Sequence, residues 1–203
     1  MPAQCDGSDP PTWQVTGAIS GFSTQIVFDG TRIAVEQLAA TATLGHFGSP
    51  RLGWSVTAGG VLAGQIEGRD ISGGGTAAGT LSWLPMYEGA RRPFLALTGT
   101  FGTAFVRAPA DDGMTHSWWA FDFRGGATVG KTFAERWVPY VSLRGFAGPV
   151  FWQRAGAGIN GGDRYHVTAG GGLIVRLPAS IDLTIEGMPL GERSAAFGMT
   201  LHL

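Results

Sequence analysis

Apolar and polar residues alternate along this chain with a period of two. The stretch from Gly172 to Leu203 shows it most plainly. Ile181, Leu183 and Ile185 interleave with Asp182, Thr184 and Glu186, and Ala195, Phe197, Met199, Leu201 and Leu203 interleave with Ala196, Gly198, Thr200 and His202. Such a period places the two sets on opposite faces of a β-strand. The pattern alone leaves open which face points inward.

The same alternation runs back to Trp13. Trp13, Val15, Gly17, Ile19 and Gly21 form one face of a first strand; a register shift is expected near Phe22, after which Phe22, Thr24, Ile26 and Phe28 continue to a tight hairpin at Asp29-Gly30. A second run spans Arg32 to Phe47 and closes at Gly48-Ser49-Pro50. The third carries Leu52, Trp54, Val56, Ala58, Gly60, Leu62, Gly64 and Ile66 on one face, then turns at Glu67 to Asp70. A fourth, with Ile71, Ala77, Leu81 and Trp83, ends at Tyr87 before Glu88 to Pro93. Leu95, Leu97, Phe101 and Phe105 mark a fifth, followed by a polar loop from Ala108 to His116. The sixth carries Trp119, Phe121, Phe123, Ala127 and Val129, the seventh runs from about Trp137 to Trp152, and a Gly-rich loop, Ala155 to Asp163, precedes the eighth. The closing hairpin supplies two more. This predicts an all-β chain of about ten strands, with eight as the alternative, over residues 12–203, behind a disordered or periplasmic tail over 1–11. No capped helical stretch competes.

Composition turns the faces around. Only 14% of the residues are charged and a single one is Lys, against about 25% charged in an ordinary soluble domain. Two all-β solutions exist, a soluble barrel or sandwich with apolar residues inside and a membrane barrel with apolar residues toward lipid. The face opposite the apolar one is mainly Ser, Thr, Gly and Ala, which suits a crowded interior better than a wet surface. Its charges, Glu36, Asp122, Arg124, Arg144, Arg176, Asp182 and Glu186, nearly balance in sign and are expected to form a lumen network.

The aromatics fall near both sets of turns. Trp13, Phe47, Trp54, Trp83, Tyr87, Phe94, Phe133 and Trp137 lie at one end; Phe28, Phe105, Trp118, Trp119, Phe151, Trp152 and Tyr165 lie at the other. Two belts separated by a strand length fit the two interfaces of a bilayer, so Trp13, Trp54, Trp83, Tyr87, Trp118, Trp119, Trp137, Trp152 and Tyr165 are expected to form an aromatic girdle. On these residues the chain resembles the bacterial outer-membrane β-barrel proteins, in the small eight- to ten-stranded class, OmpA- and OmpW-like in architecture. The resemblance covers residues 12–203 and implies a closed up-and-down transmembrane barrel with both termini periplasmic. Turns at Gly48 to Pro50, Glu88 to Pro93, Ala134 to Arg136 and Pro178 to Ser180 would then lie inside, and the connections Ala108 to His116, Ala155 to Asp163 and Gly187 to Glu192 outside. The terminal strand of the family usually ends in an aromatic, whereas this chain ends in Leu203, with Phe197 its last aromatic.

Other classes fare worse. A net charge of −1 with no basic block argues against nucleic acid, and no apolar run of about eighteen residues can form a spanning helix. Cys5 is the only cysteine, which excludes an internal disulfide and a Cys-based zinc cluster; its PAQC context is a poor lipid-anchor signal. The polar, Pro-rich N-terminus has neither basic segment nor apolar core, so a secretory leader is expected to have been removed ahead of it. Gly73-Gly74-Gly75-Thr76 imitates a dinucleotide loop in letters but continues a strand, and reads as close strand packing. Asp111, Asp112, His116 and Ser117 bring acid, imidazole and hydroxyl into one loop without a spacing specific to a catalyst. Asn160 and Asp163 offer too few oxygens for calcium, and His46, His166 and His202 sit on different strands. The expectation is a non-catalytic barrel without metal or cofactor. It would serve as an envelope scaffold or partner-binding component in contact with outer-membrane lipid and, with it, an envelope protein. A narrow porin-like channel is the first alternative and an outer-leaflet lipid-modifying enzyme the second.

Overall fold

The computed structural model describes residues 13–71, 73–109, 115–154 and 157–203, with the side chains of 108, 109, 115, 116, 153, 154 and 157 left aside. The tail over 1–12, Ser72 and the loop positions Asp111 and Asp112 lie outside the described residues, as do Ala155 and Gly156 and the side chain of His116. The strands are β1 (Trp13–Phe28), β2 (Thr31–Ser49), β3 (Leu52–Ile66), β4 (Arg69–Asp70), β5 (Gly74–Met86), β6 (Phe94–Pro109), β7 (Thr115–Gly130), β8 (Trp137–Ala147), β9 (Pro149–Arg154), β10 (Ala157–Asp163), β11 (Val167–Leu177), β12 (Ile181–Leu190) and β13 (Arg193–His202). Three pairs of them, β4 with β5, β8 with β9 and β10 with β11, are single wall strands with a local break, which leaves ten antiparallel wall strands in a closed barrel.

Turn chemistry sets the ends. Asp29-Gly30 and Glu67-Gly68 both take positive φ at each residue (44° and 80°, 52° and 74°), as a twist-matched two-residue hairpin requires. Closure is made by β13 against β1, from Gln14 opposite His202 to Ser23 opposite Arg193, and the Leu203 amide donates to the Trp13 carbonyl at 3.0 Å. Here the end bearing the termini is called the terminal end and the other the distal end. Toward the distal end the β12–β13 hairpin stops short, and β1 pairs directly with β10, Ile26 opposite Asp163 and Phe28 opposite Gly161. The wall therefore has ten strands at the terminal end and eight at the distal end.

Several expectations change. No register shift occurs at Phe22: β1 pairs without interruption with β2 from Trp13 to Phe28. Its parity is constant, and it is the chemistry that inverts, so Phe22, Thr24, Ile26 and Phe28 point into the lumen. The third strand, expected to alternate cleanly, carries a bulge opposite Leu38 and Ala39 that turns Gly64 and Ile66 inward, leaving Ile66 2% exposed. The Gly-rich stretch expected as a loop is largely strand β10, and most of the expected connection at Gly187 is the end of β12.

These inversions give the barrel a layered interior. At the distal end Ile26, Phe28, Ile33, Val35, Val61, Ile66, Ile71, Val106, Trp118, Val150 and Trp152 form one buried apolar cluster, with Ile159 packed against it. Every strand of the eight-stranded end, β1, β2, β3, β4–β5, β6, β7, β9 and β10, contributes to it or flanks it. Leu84, Phe94, Ala96 and Val138, with Tyr87 and Ile174, form a smaller cluster toward the terminal end.

Candidate functional site

Between these clusters the lumen is polar. The alternation of β7 sends Asp122 and Arg124 inward together. The Arg124 guanidinium donates from Nε to Asp122 Oδ2 at 3.0 Å, reaches Glu192 Oε1 at 3.4 Å, and lies 5.0 Å from the centre of the Phe146 ring. Arg144 of β8 donates to Glu186 Oε2 of β12 at 2.6 Å, and the Tyr140 hydroxyl donates to the same oxygen at 3.0 Å. Nearer the terminal end, His202 Nε2 is 2.8 Å from Asp182 Oδ2, both side chains 6% exposed. Arg176 faces inward opposite Asp182 on the neighbouring strand.

The opposite wall carries hydroxyls. Thr16 with Thr200, Thr43 with Thr57 and Thr80 with Thr100 are hydrogen-bonded cross-strand pairs at 2.8, 2.8 and 2.9 Å, and on the charged wall itself Thr128 of β7 meets Ser142 of β8 at 3.1 Å. Thr200, Thr16, Thr43 and Thr57 are successive partners around the wall, a spiral row that follows the strand register. The hydroxyl wall and the charged wall face each other across a cavity of about 640 Å³.

The structure thus brings Asp122, Arg124, Arg144, Arg176, Asp182 and Glu186 into the lumen. Glu36 is a correction. It lies on the outward face opposite Ser23, exposed, while its neighbours Val35 and Gln37 point inward. The reading that charge belongs inside holds only along the apolar belt; beyond it the outer wall is itself polar. Glu192, a turn residue by sequence, is 7% exposed and joins the network through Arg124. Nothing local announces this, because the burial comes from the hairpin tip packing against Val167 and Thr168 of β11.

The aromatics divide likewise. Trp13, Trp54, Trp83, Trp119 and Trp137 face outward, between 38% and 49% exposed. Trp118 and Trp152 do not: they are cross-strand partners buried in the distal cluster, each 3% exposed. Their chain neighbours Trp119 and Phe151 hold the outward positions, and adjacent strand residues cannot share a face. Tyr87 lies past the end of β5, half-buried on the smaller cluster with the Arg51 guanidinium 5.3 Å from its ring centre. Tyr165 sits in the break between β10 and β11, with Arg164 at 5.2 Å.

The chemistry on offer is mutual pairing. His46 lies on the outer face between the Trp13 and Trp54 rings, His166 at the distal break and His202 in the lumen, so the three do not converge. Among the described residues no group of three metal-ligating side chains comes together, and no hydroxyl is hydrogen-bonded to a histidine. Gly74 to Ala78 belong to β5, with no helix following that could cradle a phosphate.

No protein-family model matches the chain, and no curated protein is detectably similar to it in sequence. Solved structures are. The outer membrane protease OmpT from Escherichia coli superposes with a TM-score of 0.55 at 7% identity, over 98% of this chain and 100% of that one. The translocator domain of the autotransporter NalP from Neisseria meningitidis gives 0.53 at 9% identity, over 97% and 90%. At such identity the likeness is one of fold.

Proposed function

We propose that this chain, which has the fold of the bacterial outer-membrane β-barrels, is a non-catalytic, non-conducting barrel that serves the cell envelope as a membrane-embedded scaffold or partner-binding component. The observation that carries this reading is the distal apolar cluster. Eight strands surround a lumen that side chains can fill, and here Ile, Val, Phe and Trp side chains fill it, the two buried tryptophans 3% exposed. An ion crossing that layer would shed its water against the apolar side chains of the cluster, which cannot replace it. The charged groups beneath the layer are engaged with one another, which supports a structural role for them. Both termini on the periplasmic side is part of the same reading, and an epitope at either terminus should be inaccessible on intact cells.

The deciding measurement is single-channel conductance in planar bilayers. The wild-type protein should give no current above background, and the triple variant Phe28→Ala/Trp118→Ala/Trp152→Ala should give discrete steps. Steps from the wild-type protein would establish the narrow channel instead. Unchanged lipid A in cells overproducing the protein is expected; a modified lipid A would move the reading to an enzyme. Crosslinking in intact envelopes names the partner.

A further inference from the structure

Mutual pairing does not use up the charge of the lumen. The cavity between the hydroxyl wall and the charged wall is lined by four carboxylates, Asp122, Asp163, Glu186 and Glu192, and by two guanidiniums, Arg124 and Arg144. Arg124 serves Asp122 and Glu192, and Arg144 serves Glu186. The Asp163 side chain, on β10 opposite Ile26, has no hydrogen bond or ion pair among the described residues. Asp122 engages Arg124 through Oδ2, and its Oδ1 has no partner. Four carboxylates against two guanidiniums leave two negative charges in a confined space, an arrangement that costs free energy until a cation joins it.

Two more polar groups of the same lining lack partners. Gln37 Nε2 and Thr24 Oγ1 belong to residues that are each 6% exposed, and neither has a hydrogen bond. Interiors leave few such groups unpaired. They stand on β2 and β1 as the register partners of Phe22 and Val35, next to the distal layer. On the hydroxyl wall one proton joins the Thr43 and Thr57 oxygens, which leaves the other hydroxyl proton free to donate. The distal side of the cavity is apolar, lined by Phe22, Ile26, Val61, Trp118 and Val150. Surplus carboxylate, free hydroxyl and amide donors and an aromatic ceiling ask for one ligand that is cationic, rich in oxygen acceptors and apolar on one face.

We propose that the lumen binds a small amino sugar with free amines. Its ammonium groups lie against Asp163 and Asp122, its ring hydroxyls meet Gln37, Thr24 and the threonine wall, and the apolar face of a ring packs on Phe22 and Trp118. Two surplus charges match two amines, hence a disaccharide, and the cavity of about 640 Å³ falls within the range of small-ligand pockets. A neutral sugar of the same shape leaves both carboxylates unanswered, which gives the site its selectivity. The distal cluster closes one side, so the sugar enters from the terminal end along the hydroxyl wall, where the next inward residues are Ser55 and Ser82. The site stands on its lining and not on whether the lumen conducts.

Native mass spectrometry of the full chain in detergent, with three disaccharides of one linkage as probes, tests it: the disaccharide of glucosamine with free amines, its N-acetylated form, and cellobiose. The wild-type protein should hold one copy of the diamine in preference to either of the others by about tenfold. Asp163→Asn should erase most of that preference, Gln37→Leu should weaken retention of the diamine, and Ala78→Phe, which fills the cavity, should abolish it. Heat-modifiable gel mobility checks that each variant folds, and Ala196→Phe replaces Ala78→Phe if that one does not. No saturable retention of the diamine by the wild-type protein, equal retention of all three sugars, or retention that survives filling the cavity overturns the proposal. A conducting wild-type barrel that still selects the diamine overturns only the reading of the lumen as closed.

Discussion

Single positions in this wall differ sharply in what they tolerate, and the difference follows from facing and register rather than residue type. A Cβ on Gly59 would meet the Ala40 carbonyl oxygen and, at 2.7 Å, Thr41 Cγ2, whereas one on Gly17 meets nothing within 4 Å. Gly59→Ala should therefore cost about 1–3 kcal/mol through overpacking, while Gly17→Ala should change stability by less than about 1 kcal/mol, and in the stabilising direction. Urea unfolding in lipid vesicles measures both. Glu186 accepts from Arg144 and Tyr140 at once, so Glu186→Ala leaves two half-buried donors without their acceptor and should cost about 1 kcal/mol in the same assay. At this scale the sequence was informative about charge and silent about partners. Arg144 and Glu186 were legible as lumen candidates, but their pairing joins residues 42 apart in the chain. Glu36 faces outward against its pattern because the inside-outside rule reverses where the outer wall leaves the apolar belt.

Among the elements, the β12–β13 hairpin decides the shape. Thr168 Oγ1 is within 2.7 Å of the Leu190 carbonyl and 2.9 Å of the Glu192 carbonyl, which holds the hairpin tip beneath the β1–β10 junction. That junction is sensitive at Gly161, where a Cβ would strike the ring of Phe28, itself packed 5.9 Å from Trp152. Gly161→Val should loosen the distal closure alone. The amides of Ile26 to Phe28 should lose hydrogen-exchange protection by about tenfold or more while those of Gln14 to Ser20 keep theirs, since local opening is set by local contacts. Turns and strand positions were largely readable here, because Asp29-Gly30 and Glu67-Gly68 need positive φ and period two is local. The bulge on β3 was not, since Val61-Leu62-Ala63 fits either face and the partner strand chooses.

At the scale of the whole molecule, the outward wall is apolar, from Leu52, 55% exposed, through Leu81 at 65% and Val141 at 64% to Ile185 at 59%. A patch of that extent does not survive in water. The protein should need detergent to remain monodisperse, and unheated samples should migrate differently from boiled ones on gels; a detergent-free monomer by sedimentation would contradict the membrane barrel. The distal cluster makes a second expectation at this scale. Removing Trp118 and Trp152 should lower the midpoint of thermal unfolding as well as admit ions, because the plug is also the core.

The sequence by itself determined that the chain is all β, that its wall has about ten strands, where most turns fall, and that its exterior carries too little charge to be wet throughout. Each of these is written in nearest-neighbour terms: alternation, turn residues, composition. Only the tertiary structure decided that Phe22, Thr24, Ile26 and Phe28 point inward without a register shift, that Trp118 and Trp152 plug the lumen, that Glu192 is buried, and that ten strands become eight. Those outcomes depend on which residues become partners when the sheet closes on itself. Closure is a property of the whole circuit of hydrogen bonds, and no single strand carries it.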